Sequence, residues 1–210
     1  MTLPGYEDIV ALTGMIGTGK STVCSILEEL GARVVSADEL AREVVKPGSE
    51  GWQKVVNEFG SNILDENGHL NRNNLGEIVF SCPAKRKKLE AITHPLVGKL
   101  ALAKFKEARR TFPPLIIYEC PLLFEAGLDK ENFRKIVLIT ADEKLCLERA
   151  AKRSKLSPEA VKKRLSSQLP LREKIGGADI VLDNSGSLKE LREKVIILFK
   201  ELCADRREIT

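Results

Sequence analysis

Eight consecutive residues carry a defined chemistry. Gly14-Met15-Ile16-Gly17-Thr18-Gly19-Lys20-Ser21 has the spacing G-x-x-x-x-G-K-[ST], placed directly after a short apolar run and at the start of a helical pattern. Glycines at Gly14, Gly17 and Gly19 allow backbone N–H groups to turn inward around a phosphate, and the following helix offers its unpaired amides and positive dipole end to the same anion. In such a loop Lys20 is expected to bridge β- and γ-phosphates, Ser21 to lend its hydroxyl to Mg²⁺, and Thr22 to reach the α-phosphate. A dinucleotide site is not favoured, because Thr22 stands where G-x-G-x-x-G needs its last glycine.

The fate of the γ-phosphoryl group depends on residues elsewhere. Asp65-Glu66-Asn67-Gly68 matches the D-x-x-G switch of a GTPase by letters, but it reads as a turn and no N-K-x-D accompanies it. Asp38, three residues past the second predicted strand, suits a base on an acceptor hydroxyl, an effect worth roughly 10²–10⁴ in rate. Its bland alternative is a carboxylate favouring a helix N-terminus. Glu119 either holds a Mg²⁺-bound water or merely ends a strand. Arg149 and Arg153, one helical turn apart, are either arginine fingers in cis or solvated side chains.

These residues need a sheet edge to meet. Short apolar runs alternate with helical stretches, the pattern of a parallel sheet covered by helices. Strands are predicted at Ile9–Thr13, Ala32–Val35, Leu115–Glu119, Lys135–Ile139 and Asp179–Asp183. Helix starts are predicted from capping boxes at Ser36/Glu39, Thr140/Glu143 and Ser187/Glu190, and from Ser157-Pro158. The interval from Asp38 to Phe112 is longer than a crossover requires and reads as a helical insertion. The expected fold is α/β: a three-layer P-loop NTPase core with a five-stranded parallel sheet, formed by 1–37, 113–148 and 176–210. To it are added a helical acceptor-binding insertion at 38–112 and a helical lid at 149–175.

Composition narrows the class. Apolar residues make up 43% and charged residues 30% of the 210, a balance that suits a soluble globular chain. The first eight residues have no basic lead or apolar core, and no bilayer-length apolar run follows, so neither a targeting segment nor a membrane partner is expected. Five widely spaced cysteines without a C-x-x-C pair point to a reducing, cytoplasmic setting. The net charge of +4 is uneven: Lys85–Arg110 and Arg149–Lys174 each hold nine Lys/Arg against two Glu. Such segments suit a polyanion or are solvated helix faces. Aromatics, at 5%, are too few to interleave with them, so nucleic acid is not the expected partner.

At this point the chain resembles the dephospho-coenzyme A kinases. The resemblance rests on ALTGMIGTGKST (Ala11–Thr22), SADELAREVV (Ser36–Val45), HLNRNNL (His69–Leu75), THPLV (Thr93–Val97), PLLFE (Pro121–Glu125), and Gln168 followed by ADIVLDNSGSLKEL (Ala178–Leu191). It implies a kinase that phosphorylates the ribose 3′-hydroxyl of dephospho-CoA, with ATP and Mg²⁺ at Gly17–Thr22, Thr18 included. It also implies Asp38 as base, Arg149, Arg153 and Asn184 beside the nucleotide, and Arg72, His94 and Glu125 in or near the acceptor site. Read without it, Arg72 is a surface residue, His94 a helix-start histidine and Glu125 a cap. Two departures are visible: Ser36 stands where the family often has an acidic residue, and Cys120 follows Glu119 at a variable position. A monomer or small homo-oligomer is expected. Another small-molecule P-loop kinase, for nucleoside monophosphates or shikimate, and an ATP-dependent switch or RNA-stimulated ATPase are the competing readings.

Overall fold

The computed structural model describes residues 4–154, 165 and 168–205. The chain divides into two compact units, Met1–Ser36 with Phe105–Thr210, and Ala37–Lys104. The first unit is built on five parallel strands, β1 (Val10–Gly14), β2 (Arg33–Ser36), β3 (Ile116–Glu119), β4 (Lys135–Thr140) and β5 (Ile180–Asp183). Their order is β2-β3-β1-β4-β5, which puts β1 in the middle. All five predicted strands exist, displaced by a residue at some ends. The four inner-sheet positions of β1 are apolar or threonine because both its faces are covered.

Alternation sorts those faces. Val10 and Leu12, Leu115 and Ile117, and Val137 and Ile139 point into one core with Val23, Ile26 and Leu27 of helix α1 (Lys20–Glu29). Leu191, Val195, Leu198 and Leu202 close that core; they repeat at helical spacing on the last described helix, Leu188–Asp205. Tyr118 belongs to the opposite face, where Tyr6, Phe105 and Phe133 meet it mostly edge-on at centroid distances of 5.5–6.1 Å. Such edge-to-face packing suits the ring quadrupoles.

The second unit is helical: α2 (Ala37–Glu43), α3 (Glu50–Phe59), a 3-10 turn (Ser61–Ile63), α4 (Arg72–Ser81) and the greater part of α5 (Pro83–Arg109). Val55, Ile63, Leu75 and Val79 form its own small core. Ser49 caps α3 by accepting from the Trp52 N–H at 3.1 Å, and Asn71 caps α4 by accepting from Asn74 N–H at 3.2 Å. Asp65–Gly68 is a turn, as its letters suggest.

Three predicted helix starts need comment. Ser187 and Glu190 form the full capping box, with Ser187 N–H donating to Glu190 Oε2 at 2.7 Å and Glu190 N–H to Ser187 Oγ at 3.3 Å. Helix α6 (Glu143–Ser154) is capped instead by Asp142, whose Oδ1 accepts from the Lys144 and Leu145 N–H groups. The Ser36 hydroxyl is directed across the sheet to Glu119 Oε2, at 2.9 Å. Ser157-Pro158 lies outside the described residues, as does most of the predicted lid; beyond it the chain forms α7 (Leu171–Gly177) and, after β5, α8 (Leu188–Asp205).

Candidate active site

β1 delivers the glycine-rich loop at the carboxyl edge of the sheet, the end where open α/β sheets hold their ligands. Gly17 and Gly19 sit at φ of 80° and 88°, where an L side chain is strained. Space is as restrictive as conformation. A Cβ on Gly17 would lie 2.1 Å from the carbonyl oxygen of Cys146 on α6, and one on Gly14 2.5 Å from that of Ile139. The loop is therefore a bare backbone ribbon pressed against its neighbours.

Gly19 is the N-cap of α1 and supplies no side-chain hydrogen bond, and the first turn carries no acidic residue. A helix start that lacks both its usual cap and its usual counter-charge leaves amides and dipole for an external anion. Lys20 begins this turn. The residue is nine-tenths buried, and its ammonium donates to the carbonyls of Gly14 at 2.8 Å and Met15 at 3.0 Å. Ser21 faces solvent one residue on, and Thr22 is half-buried.

Thr18 folds the loop on itself, donating through Oγ1 to Met15 C=O at 2.9 Å. Its own carbonyl accepts from Asn184 Nδ2 at 2.8 Å. Asn184, buried just past β5, also donates its N–H to Thr140 C=O at 2.8 Å and accepts Arg149 Nη1 on its carbonyl at 2.9 Å. One asparagine thus joins the loop, the end of β4 and the arginine of α6. Thr18, Thr140 and Cys146 also line a cavity with Met15, Ala141, Glu143, Leu165 and Leu171. Burial pushes the Cys146 thiol above its ordinary range, so that side chain stays neutral.

Glu119, at the end of β3, is half-buried and holds the Ser36 hydroxyl. Glu125 accepts the Leu169 N–H on Oε1 at 2.8 Å. The same oxygen lies 2.7 Å from Nζ of the fully buried Lys174, an ion pair by distance whose angle falls outside hydrogen-bond geometry. Arg153 lies in α6. The structure therefore brings Gly14, Gly17, Thr18, Gly19, Lys20, Asn184 and Arg149 into one cluster, with Ser21 and Thr22 on the adjoining helix turn.

The remaining predicted residues belong to the second unit. Asp38 is exposed in the first turn of α2, two residues beyond the end of β2. Arg72 is exposed as the first residue of α4, behind its Asn71 cap. His94 is exposed in the middle of α5, just before Pro95, so the helix-start reading of it is wrong. Gln168 was singled out only as part of a resemblance, and the structure gives it contacts that local sequence does not signal. It reaches Ile16 across 152 residues.

A parallel five-stranded sheet with this loop and lysine at its centre defines a P-loop phosphotransferase core. Residues 8–190 match the family model for dephospho-CoA kinase. A dephospho-CoA kinase of Syntrophotalea carbinolica is 42% identical over 194 residues, covering 92% of either chain, and one of Geobacter metallireducens is 41% identical over 92% of this chain and 96% of its own. Among solved structures, a Thermus thermophilus protein superposes with a TM-score of 0.78 at 35% identity, covering 94% of this chain and 98% of its own. The dephospho-CoA kinase from Campylobacter jejuni follows at 0.70 and 30%, covering 95% and 99%. The chain belongs to the dephospho-CoA kinase family.

Proposed function

We propose that the chain transfers the γ-phosphoryl group of ATP to the ribose 3′-hydroxyl of dephospho-CoA, producing ADP and CoA. The observation that carries this reading is Lys20, a buried residue whose ammonium rests on the carbonyls of Gly14 and Met15 within the glycine-rich loop. A phosphate oxygen entering the loop can hydrogen-bond to the same ammonium, which those carbonyls keep aimed there, and adds a full opposite charge. Lys20 and Arg149 then stabilise charge on the transferring group, and the Gly17–Lys20 amides fix the β-phosphate.

Asp38 is the proposed base. It is exposed, opens α2 directly after the strand that ends beside Glu119, and takes the proton of the attacking hydroxyl. Arg72, His94 and Glu125 are proposed acceptor-side residues, and Arg153 a nucleotide contact. The donor set suits Mg²⁺, which accepts one hydroxyl or carboxylate together with substrate phosphates. Among the described residues no cluster of three His, Cys, Asp or Glu forms a dedicated metal cage. Ser21 is the residue that would hold the ion, with Glu119 behind it, and the ion would neutralise charge on the β- and γ-oxygens.

No helix among the described residues is long and apolar enough to cross a membrane. None of the five cysteines forms a disulfide, which supports a reducing cytoplasmic setting for the enzyme. The decisive experiment measures ADP release from ATP-Mg²⁺ with no acceptor, dephospho-CoA, AMP, shikimate or RNA, followed by mass spectrometry of the acceptor. Stimulation by dephospho-CoA with gain of one phosphate is expected, and Lys20→Ala should lower kcat/KM by roughly 10²–10³. Turnover of Asp38→Ala equal to the wild type would remove Asp38 as base. Phosphorylation of AMP or shikimate alone, or ADP release driven only by RNA, would overturn the acceptor assignment.

A further inference from the structure

We infer that Gln168 is a positioning residue for the nucleotide loop, clamping the Met15–Ile16 peptide so that its carbonyl stays aimed at Lys20. The inference rests on the phosphoryl-transfer reading above and extends it to a residue outside the loop.

A trans peptide points its C=O and its N–H in opposite directions. In the Met15–Ile16 unit, the carbonyl faces inward and accepts Lys20 Nζ at 3.0 Å and Thr18 Oγ1 at 2.9 Å. The N–H of Ile16 faces the other way and donates to Gln168 Oε1 at 3.0 Å. The plane is thus held from both sides. Release of the outer bond frees the peptide to rotate, and rotation would carry away the carbonyl on which Lys20 rests.

The other half of the Gln168 amide completes the clamp. Nε2 donates to Pro121 C=O at 3.4 Å, a carbonyl that also accepts Thr13 Oγ1 at 3.5 Å from β1. An N–H must meet an oxygen and a carbonyl must meet a donor, so the two contacts together fix which end of the amide is which. Only glutamine supplies both functions in one planar group at this reach. Glutamate has the same shape but no donor when ionised, and asparagine is one methylene short.

Gln168 is itself anchored. The next residue, Leu169, donates its N–H to Glu125, which pairs with buried Lys174, and Pro170 begins α7. Farther along, Gly177 packs so closely that a Cβ there would lie 2.6 Å from the Phe124 ring. The segment from 168 to 177 is therefore fastened to the loop after β3, and through Gln168 it fastens the nucleotide loop to both.

The test compares wild type, Gln168→Ala and Gln168→Glu in steady-state turnover with ATP and dephospho-CoA, and in calorimetric titration with ADP. Loss of two hydrogen bonds that pre-organise the loop should raise the KM for ATP and the Kd for ADP roughly tenfold in Gln168→Ala, with the KM for dephospho-CoA unchanged. Gln168→Glu carries a signature that a merely structural role would not produce. Its carboxylate repels the Pro121 carbonyl at high pH, whereas the protonated acid donates to it as glutamine does. Turnover relative to wild type should therefore rise about fivefold or more as pH falls from about 8 to about 5.5, above the ordinary carboxyl range because the site disfavours the charge.

Wild-type ATP and ADP parameters in both variants would overturn the inference. So would a Gln168→Glu ratio flat in pH, or a loss of melting temperature with the KM for ATP unchanged. A wild-type chain that did not phosphorylate dephospho-CoA would sink the functional reading alone, and the ADP affinities would still decide the clamp.

Discussion

Replacing Gly19 with alanine should destabilise the protein by an amount that depends on Asn184, and the dependence can be worked out. Gly19 lies at φ 88° and ψ 23°, so alanine there costs about 1–2 kcal/mol in backbone conformation alone. Its Cβ would also fall 2.3 Å from Asn184 Nδ2. That atom belongs to a side chain able to move, but moving it breaks the 2.8 Å bond to Thr18 C=O in a buried setting, a loss of about 1–3 kcal/mol. The sum is about 2–5 kcal/mol for Gly19→Ala. In Asn184→Ala the obstacle and the bond are already gone, so adding Gly19→Ala should cost only the conformational part. The four proteins, unfolded in urea with a constant m-value, should show a coupling of about 1–3 kcal/mol between the two sites. Additivity within about 0.5 kcal/mol would refute the reasoning, because it would mean that Asn184 does not occupy the space above Gly19.

Three further outcomes are expected. Phe112, 89% exposed and at φ 48°, carries left-handed strain without compensating burial, so Phe112→Gly should raise stability by about 1 kcal/mol in the same urea assay. Lys174→Met should cost about 3–5 kcal/mol by stranding the Glu125 carboxylate, and adding Glu125→Gln should recover most of it; equal midpoints for the single and double variants would contradict the pairing. Burial pushes the Tyr6 phenol up to about 12, with charge on Cys120 adding to the shift. A raised folded pKa means stability that is complete below about pH 10 and lost as pH rises toward 12, so urea midpoints of wild type should fall across that window by more than those of Tyr6→Phe.

The glycine-rich loop was legible because its geometry is local: three glycines, a lysine and a serine at fixed spacing describe one turn and one helix start. The strands were legible because each is an apolar run between breakers, and only their ends moved. The helix start at Ser36 was legible, since α2 opens at Ala37, whereas the box at Thr140 lay two residues early. The Ser36 hydroxyl spends its proton on Glu119, 83 residues away, and no local pattern signals that partner. At α6 the competing cap was simply closer, since Asp142 is adjacent to the helix. The contacts of Asn184 with Thr18 and of Gln168 with Ile16 span 166 and 152 residues. No period or motif encodes such pairs, because they arise only when parallel strands place loops from opposite ends of the chain at one edge.

Trp52 is the single tryptophan of the chain, and it lies in the helical unit, half-buried with its indole N–H on Gly68 C=O at 2.9 Å. Both tyrosines, Tyr6 and Tyr118, sit instead in the aromatic core beneath the sheet. Nature has therefore supplied each unit with its own chromophore. Excitation selective for indole reads the smaller unit by itself, while tyrosine signals read the larger one. Superimposable melting curves from the two colours would mean that the units lose structure as one cooperative body, and separate curves that each has a stability of its own.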